Sequence, residues 1–190
     1  MKLFLILILT LSAYLSSQDY LDYPHPYHST ETTKGMVVSQ NYLSSDIGAE
    51  ILSKGGNAVD AAIAVGFSLT ATLPRAGNIG GGGFMLVYDK KTESIISFDF
   101  RSMSPKLATP DVYKVNGVHQ YELSEEGYKA IAVPGTVAGL IEAHEMFGTM
   151  DLADLVNPTI ELLKEGVPVT DDLYWACLLY TSPSPRDFVR

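Results

Sequence analysis

Asn78-Ile79-Gly80-Gly81-Gly82-Gly83-Phe84-Met85-Leu86-Val87-Tyr88 is the stretch that decides the fold of this chain. Its four consecutive glycines carry no side chains, so their value lies in backbone freedom, close backbone approach or exposed N–H groups. Leu73-Pro74 ends a helix before the glycines, and the apolar residues after them predict a strand over residues 84–88. The glycine run therefore joins a helix to a strand.

A second predicted strand over residues 95–100 returns after a turn at residues 90–93, which gives a β-hairpin with Arg101 at its end. Phosphate-binding loops have the opposite order, because they follow a strand and open a helix whose N-terminus faces the anion. A nucleotide site is therefore not expected. Two interpretations of the glycines stay open: a close backbone crossing beside the core, and direct contact with a ligand.

Two helices precede the glycines. Apolar residues recur at helical spacing over residues 43–51, Ser44 or Ser45 can cap the start, and Gly55 can end the helix in the left-handed conformation. Asn57 can cap a second helix from Ala58 to about Thr72.

This second helix is apolar on nearly every face and rich in alanine, which is typical of a buried packing helix. We expect Ala62 to be one of its packed residues. Asp60 lies three residues after the cap, where a carboxylate can accept hydrogen bonds from the exposed N–H groups at the helix start. We therefore interpret Asp60 as part of the cap and not as a catalyst.

The later elements alternate between strands and helices. Short strands are predicted at Val37-Val38 and over residues 130–133, with a surface excursion over residues 106–127. A helix opens at Thr136, which we expect to cap it, and Gly148 closes it.

A last helix is predicted with Asn157 as cap, Pro158 at its first position and Gly166 beyond its end. The alternation predicts an α/β or α+β chain.

The composition excludes some partners and suggests export. A formal charge of −9 over 190 residues, with no basic cluster, argues against nucleic acid as a partner. Residues 1–17 begin with a basic residue, continue with an apolar run and end in small and polar residues. This is the order of a signal peptide, which we expect to be cleaved near Ser16 or Ser17. We expect a secreted or periplasmic protein, with an uncleaved membrane anchor as the alternative. Residues 18–34 are expected to be an exposed leader.

The segments GGNAVDAAIA, NIGGGGFMLVY, DFR and AVPGTVAGL, in that order, closely resemble the start of the large subunit of γ-glutamyltranspeptidase (glutathione hydrolase). The resemblance runs over residues 35–172, which we take as the N-terminal part of a domain of this family. Residues 173–190 do not continue the pattern and are interpreted as an unrelated or artefactual tail. Cys177, the only cysteine, lies there, so no intrachain disulfide is expected.

The resemblance implies an N-terminal-nucleophile hydrolase, an αββα sandwich of which this chain holds the helix-rich start and one β-hairpin. It implies a precursor that cleaves itself and a freed N-terminal threonine that attacks a γ-glutamyl amide. Glutathione and other γ-glutamyl compounds would be donors, and water, amino acids or peptides would be acceptors. That threonine and the small subunit that carries it lie downstream in the family, so we assign no catalytic residue here and expect this segment alone to be inactive.

Arg101 is the candidate binding residue. A guanidinium at the end of a largely apolar strand needs an anion, and its planar fork matches a carboxylate. From residue type alone, a structural salt bridge to Asp99 or Glu93 is the commoner outcome. The resemblance favours the other role, because the arginine of the family's Asp-x-Arg segment holds the substrate α-carboxylate. The family usually has glutamate after this arginine, whereas this chain has Ser102.

Other candidates are weaker. His144 could act as a base, but a lone histidine on an apolar helix face is usually packed and hydrogen-bonded. His25 and His28 have a spacing that a metal could use, yet no carboxylate or thiol accompanies them. We expect no metal and no cofactor.

Two alternatives to a glutathione hydrolase stay open. The cephalosporin and glutaryl acylases of the same superfamily share the early glycine-rich blocks and take a different acyl group. A secreted pseudoenzyme, whose Arg101 binds a carboxylate without chemistry, is the other.

Overall fold

The structure is a computed structural model that describes residues 31–181. All of its helices and strands lie in the compact unit that begins at Gly35. Six α-helices are described: α1 Tyr42–Ser53, α2 Ala58–Thr72, α3 Glu122–Glu125, α4 Thr136–Phe147, α5 Leu152–Glu165 and α6 Asp171–Thr181. Four strands form two antiparallel hairpins: β1 Phe84–Asp89 with β2 Ser94–Asp99, and β3 Lys114–Val115 with β4 Val118–His119.

Helix α1 is capped by Asn41, which was not one of the predicted cap residues. The Asn41 side chain accepts a hydrogen bond from the Leu43 N–H at 3.0 Å, so the prediction of a serine cap is wrong. Ser44 is instead buried inside the helix, with its hydroxyl 2.8 Å from that of Thr72. Gly55 follows the helix with φ +96°, which confirms the predicted left-handed end.

Helix α2 has the predicted bounds and the predicted cap. The Asn57 side chain accepts from the Asp60 N–H, and the Asp60 carboxylate accepts from the Asn57 N–H at 2.9 Å, a reciprocal capping box. Ala61, Ile63 and Ala64 are buried in the core. Ala62, however, lies on the side of α2 that faces away from the core and is exposed. The expectation that α2 is packed on all of its faces is therefore wrong for the described residues.

The β1–β2 hairpin confirms the predicted strands and has two unlike faces. Phe84 pairs with Asp99, and the register continues to Asp89 opposite Ser94. The inner face packs on the helices through Met85, Val87, Ile96 and Phe98. The outer face carries large apolar side chains that are 63–72% exposed: Phe84, Leu86, Tyr88 and Ile95.

The core lies between this inner face and helices α1, α2, α4 and α5. Its buried apolar side chains include Ile51, Ile63, Phe98, Leu140 and Leu155. The rings of Phe98 and Phe147 meet edge to face with centroids 6.1 Å apart, which ties the sheet to α4.

Two predicted short strands are absent from the described residues. Val37-Val38 belongs to no strand. Ala130 is the last residue of a 3₁₀ turn, Tyr128–Ala130, and residues 131–133 make one isolated bridge, between Val133 and Met103. The excursion over residues 106–127 holds the small β3–β4 hairpin and α3, so it is more ordered than predicted.

Helix α5 begins earlier than predicted. It starts at Leu152 after Asp151, and Pro158 lies inside it, so the predicted start at Asn157 is wrong. Leu155, three residues before the proline, is fully buried, and its packing stabilises the helix where the proline lacks an N–H donor. Gly166 ends it with φ +98°, as predicted.

In the part of the chain that the structure describes, no helix has the length and apolar character needed to span a membrane. The predicted signal peptide and most of the leader lie outside the described residues. The expected boundary at residue 172 falls within α6 and stays a prediction.

Candidate functional site

Three segments of the chain meet near Arg101: the glycine run, the residues that follow β2, and the segment around Val133. Phe100 and Gly83 exchange two backbone hydrogen bonds of 3.1 and 3.3 Å, which continue the β1–β2 ladder into the glycine run. On the other side, Met103 and Val133 exchange two backbone bonds of 3.1 and 2.7 Å. The backbone of Arg101 is therefore held on both sides.

The glycine run passes too close to this strand end for side chains. A Cβ at Gly82 would collide with the Ser102 backbone nitrogen and lie 2.6 Å from the Phe100 carbonyl oxygen. A Cβ at Gly135 would also collide with the Phe100 carbonyl oxygen. These clashes are with backbone, which cannot turn away, so the interpretation of the glycines as a close backbone crossing is confirmed.

The glycine run also caps helix α4. The backbone N–H groups of Gly135 and Thr136 both donate to the Gly81 carbonyl oxygen, at 2.8 and 3.2 Å. Thr136 makes no side-chain cap, and its hydroxyl donates to the Asn78 carbonyl at 3.3 Å, so the prediction that Thr136 caps the helix is wrong. Gly148 does end α4, as predicted.

Arg101 projects from this crossing with its side chain exposed. Its backbone N–H donates to Asp99 Oδ1 at 3.0 Å, and its guanidinium Nη1 donates to Ser102 Oγ at 2.8 Å. Within residues 31–181 the guanidinium makes no ion pair, so the alternative of a salt bridge to Asp99 or Glu93 is wrong. The cation and most of its donors are available to an anionic ligand.

An open cavity of about 470 Å³ lies beside the crossing. Gly82, Gly83, Phe100 and Thr136 form part of its wall, and the exposed side of α2, including Ala62, forms another part. Its lining is largely apolar and does not include Arg101.

His144 is held in a structural contact. Its Nε2 lies 2.7 Å from the Met150 carbonyl oxygen, at the connection between α4 and α5. No group of three or more metal-ligating side chains occurs in the described part of the chain, and His25 and His28 lie outside it.

Asp60 is fully buried and joins α2 to the same connection. Its carboxylate accepts from the Thr149 hydroxyl at 2.5 Å and from the Thr149 N–H at 2.9 Å, in addition to the Asn57 N–H. Burial acts to raise the pKa of this carboxyl, but the hydrogen bonds outweigh burial and lower the pKa below its ordinary value. Asp60 is thus a structural carboxylate, as its position in the cap indicated, and Thr149 is a partner that no local pattern signalled.

The family model for Gamma-glutamyltranspeptidase matches residues 44–180. The chain belongs to this family. The resemblance found in the glycine-rich and Asp-x-Arg segments is thereby confirmed.

Curated gamma-glutamyltranspeptidase relatives are similar over most of this chain. The glutathione hydrolase proenzyme of Bacillus subtilis strain 168 is 44% identical over 137 residues, which cover 71% of this chain and 23% of that protein. The chain thus spans about a quarter of the length of the relatives it matches.

Solved structures show the same fold. The gamma-glutamyltranspeptidase of Helicobacter pylori matches with a TM-score of 0.75 and 36% identity, covering 84% of this chain and 47% of that one. A cephalosporin acylase from Bacillus halodurans matches with a TM-score of 0.69 and 32% identity, covering 83% of this chain and 30% of that one. The predicted class, a partial α/β segment of the N-terminal-nucleophile hydrolase fold, is confirmed.

The sequence pattern selected Arg101 but not its surroundings. The carbonyl of Gly81 acts through contacts that depend on how three segments cross. The hydroxyl of Ser102 belongs to the next residue in the chain, which the sequence marked only by its difference from the family's glutamate. Gly135, within the block AVPGTVAGL, could have indicated the crossing, because a glycine between a proline and a helix start is typical of close backbone packing.

Proposed function

We propose that the complete protein is a glutathione hydrolase that transfers or hydrolyses the γ-glutamyl group of glutathione. The observation that carries the proposal is the state of Arg101: an exposed guanidinium without an ion pair among the described residues, on a backbone held by two neighbouring segments. Membership of the gamma-glutamyltranspeptidase family supports it.

In this proposal Arg101 binds the α-carboxylate of the γ-glutamyl group. A guanidinium fork can donate two parallel hydrogen bonds to one carboxylate, which fixes the direction of the substrate as well as its charge. The held backbone limits the freedom that binding must remove.

The chemistry is supplied from outside residues 31–181. We infer that the precursor cleaves itself and frees an N-terminal threonine, whose own amine serves as the base for attack on the γ-glutamyl amide. The threonine oxygen bonds to the γ-carbonyl carbon, the amide C–N bond breaks, and the amine of cysteinylglycine leaves with the proton that the threonine amine took up. The resulting acyl-enzyme ester then passes its glutamyl group to water, an amino acid or a peptide, which restores the threonine hydroxyl. The threonine belongs to the small subunit, the proposed partner of this segment.

Export is the remaining part of the proposal. The signal-like order of residues 1–17 supports secretion or a periplasmic location, with an uncleaved anchor as the alternative.

The experiment is an assay of the complete, self-processed protein on two anilides. γ-Glutamyl-p-nitroanilide tests the proposed activity, and glutaryl-p-nitroanilide tests an acylase, because it keeps a terminal carboxylate and lacks the α-amino group. A kcat/KM at least tenfold higher for the γ-glutamyl compound is expected. Preference for the glutaryl compound would support an acylase instead, and a protein that neither processes itself nor releases nitroaniline would be a pseudoenzyme.

A further inference from the structure

The Arg101 side chain is less constrained than its backbone. Backbone bonds at Phe100 and Met103 and the Asp99 carboxylate fix the main chain on both sides. The exposed side chain has four rotatable bonds, and long side chains of this kind lose much rotamer freedom when a ligand orders them. Any contact that restricts the guanidinium before binding lowers that cost.

The Ser102 hydroxyl makes such a contact. It accepts a hydrogen bond from Arg101 Nη1 at 2.8 Å, and among the described residues it is the side-chain partner of the guanidinium. Ser102 is half-buried, and its backbone nitrogen lies directly under Gly82, where even a methyl group would collide. The acceptor is therefore carried on a short side chain with a fixed backbone.

We propose that Ser102 is a positioning residue that orients the Arg101 guanidinium for the substrate carboxylate. This inference rests on the proposed function, because it concerns the same binding site. A hydroxyl is a neutral acceptor, so it fixes one arm of the fork and leaves the positive charge uncompensated. The remaining N–H donors stay available for a carboxylate.

Loss of the hydroxyl should weaken binding without altering the chemical step. In the complete, processed protein, Ser102→Ala is expected to raise KM for γ-glutamyl-p-nitroanilide by about 3- to 10-fold, the range of one hydrogen bond, with kcat within twofold. Ser104→Ala is the matched control, since Ser104 is an exposed neighbour with no hydrogen bond to Arg101, and it should leave both constants unchanged.

A double-mutant cycle separates positioning from a general structural effect. If Ser102 acts through Arg101, Ser102→Ala should lower kcat/KM in the parent but have no further effect in the Arg101→Ala background. An equal loss in both backgrounds would contradict the proposal, and so would a KM in Ser102→Ala within 1.5-fold of the parent.

The same measurements distinguish this inference from the proposed function. An active parent in which Ser102→Ala changes nothing overturns the positioning role alone. A processed parent that does not act on γ-glutamyl-p-nitroanilide overturns the proposed function, and the positioning role with it.

Discussion

At the scale of single residues, two threonine hydroxyls near the core have opposite environments. The Thr149 hydroxyl donates to the buried Asp60 carboxylate. The Thr159 hydroxyl is buried in α5 and, among the described residues, is the buried side-chain polar atom without a hydrogen-bond partner. Burial of an unpartnered hydroxyl costs free energy, whereas a hydroxyl that satisfies a buried carboxylate contributes stability.

The same substitution should therefore have opposite effects at the two sites. Thr159→Val replaces an unpartnered hydroxyl by a methyl of similar size and should raise the free energy of unfolding by about 1 kcal/mol. Thr149→Val removes a bond to Asp60 and should lower it by about 1–3 kcal/mol. Thermal unfolding of the complete protein measures both, and shifts of the same sign would contradict this account.

At the scale of elements, the crossing of the glycine run with the end of β2 positions Arg101. Gly82 is the position where the two backbones come closest, and its neighbour Gly81 has more room, since a Cβ there would lie 3.4 Å from the Asn78 carbonyl oxygen. The two adjacent glycines thus differ in the room that each leaves for a side chain. Alanine substitutions at the two positions therefore form a matched pair of variants.

Gly82→Ala is expected to destabilise the protein by about 2 kcal/mol or more, because either the glycine run or the Phe100–Ser102 backbone must move. It should also lower kcat/KM, since that backbone carries Arg101. Gly81→Ala should change each quantity only slightly. Equal effects at the two positions, measured by thermal unfolding and by the anilide assay, would show that the crossing does not control the site.

Local signals predicted some of these elements and not others. The bounds of α2 and the ends at Gly55 and Gly166 follow from cap residues that act within one helical turn. The strands predicted at Val37-Val38 and residues 130–133 did not form, because a strand depends on a partner that its own sequence does not specify. In the same way, Arg101 could be selected from residue type and resemblance, and Ser102 is its neighbour in the chain. The backbone contacts that hold this strand end, with Gly83 and Val133, depend instead on the fold.

At the scale of the whole molecule, the described segment exposes an apolar sheet face. Phe84, Leu86, Tyr88 and Ile95 project from the side of the β1–β2 hairpin that faces away from the helices. In an αββα sandwich each sheet has helices on one face and the other sheet on its second face. We therefore expect this outer face to be buried in the complete protein.

Leu86→Asp tests this expectation. Leu86 is 72% exposed in the described segment, where a polar replacement would cost little. In the complete protein it should lower stability by more than about 2 kcal/mol, because a carboxylate would replace a buried side chain. Val118→Asp, on the exposed β3–β4 hairpin, is the control. Equal unfolding temperatures for the two variants would show that the outer face stays in solvent.

The central claim is that Arg101 binds the substrate α-carboxylate, and kcat/KM for γ-glutamyl-p-nitroanilide in processed Arg101→Ala tests it most directly. A charge-assisted hydrogen bond contributes about 1.5–3 kcal/mol, so the loss should be at least about tenfold. Arg101→Lys keeps the charge without the fork and should lie between parent and alanine variant. Lys106→Ala, an exposed cation nearby, should match the parent, and self-processing should continue in all three. A value for Arg101→Ala within threefold of the parent would contradict the assignment.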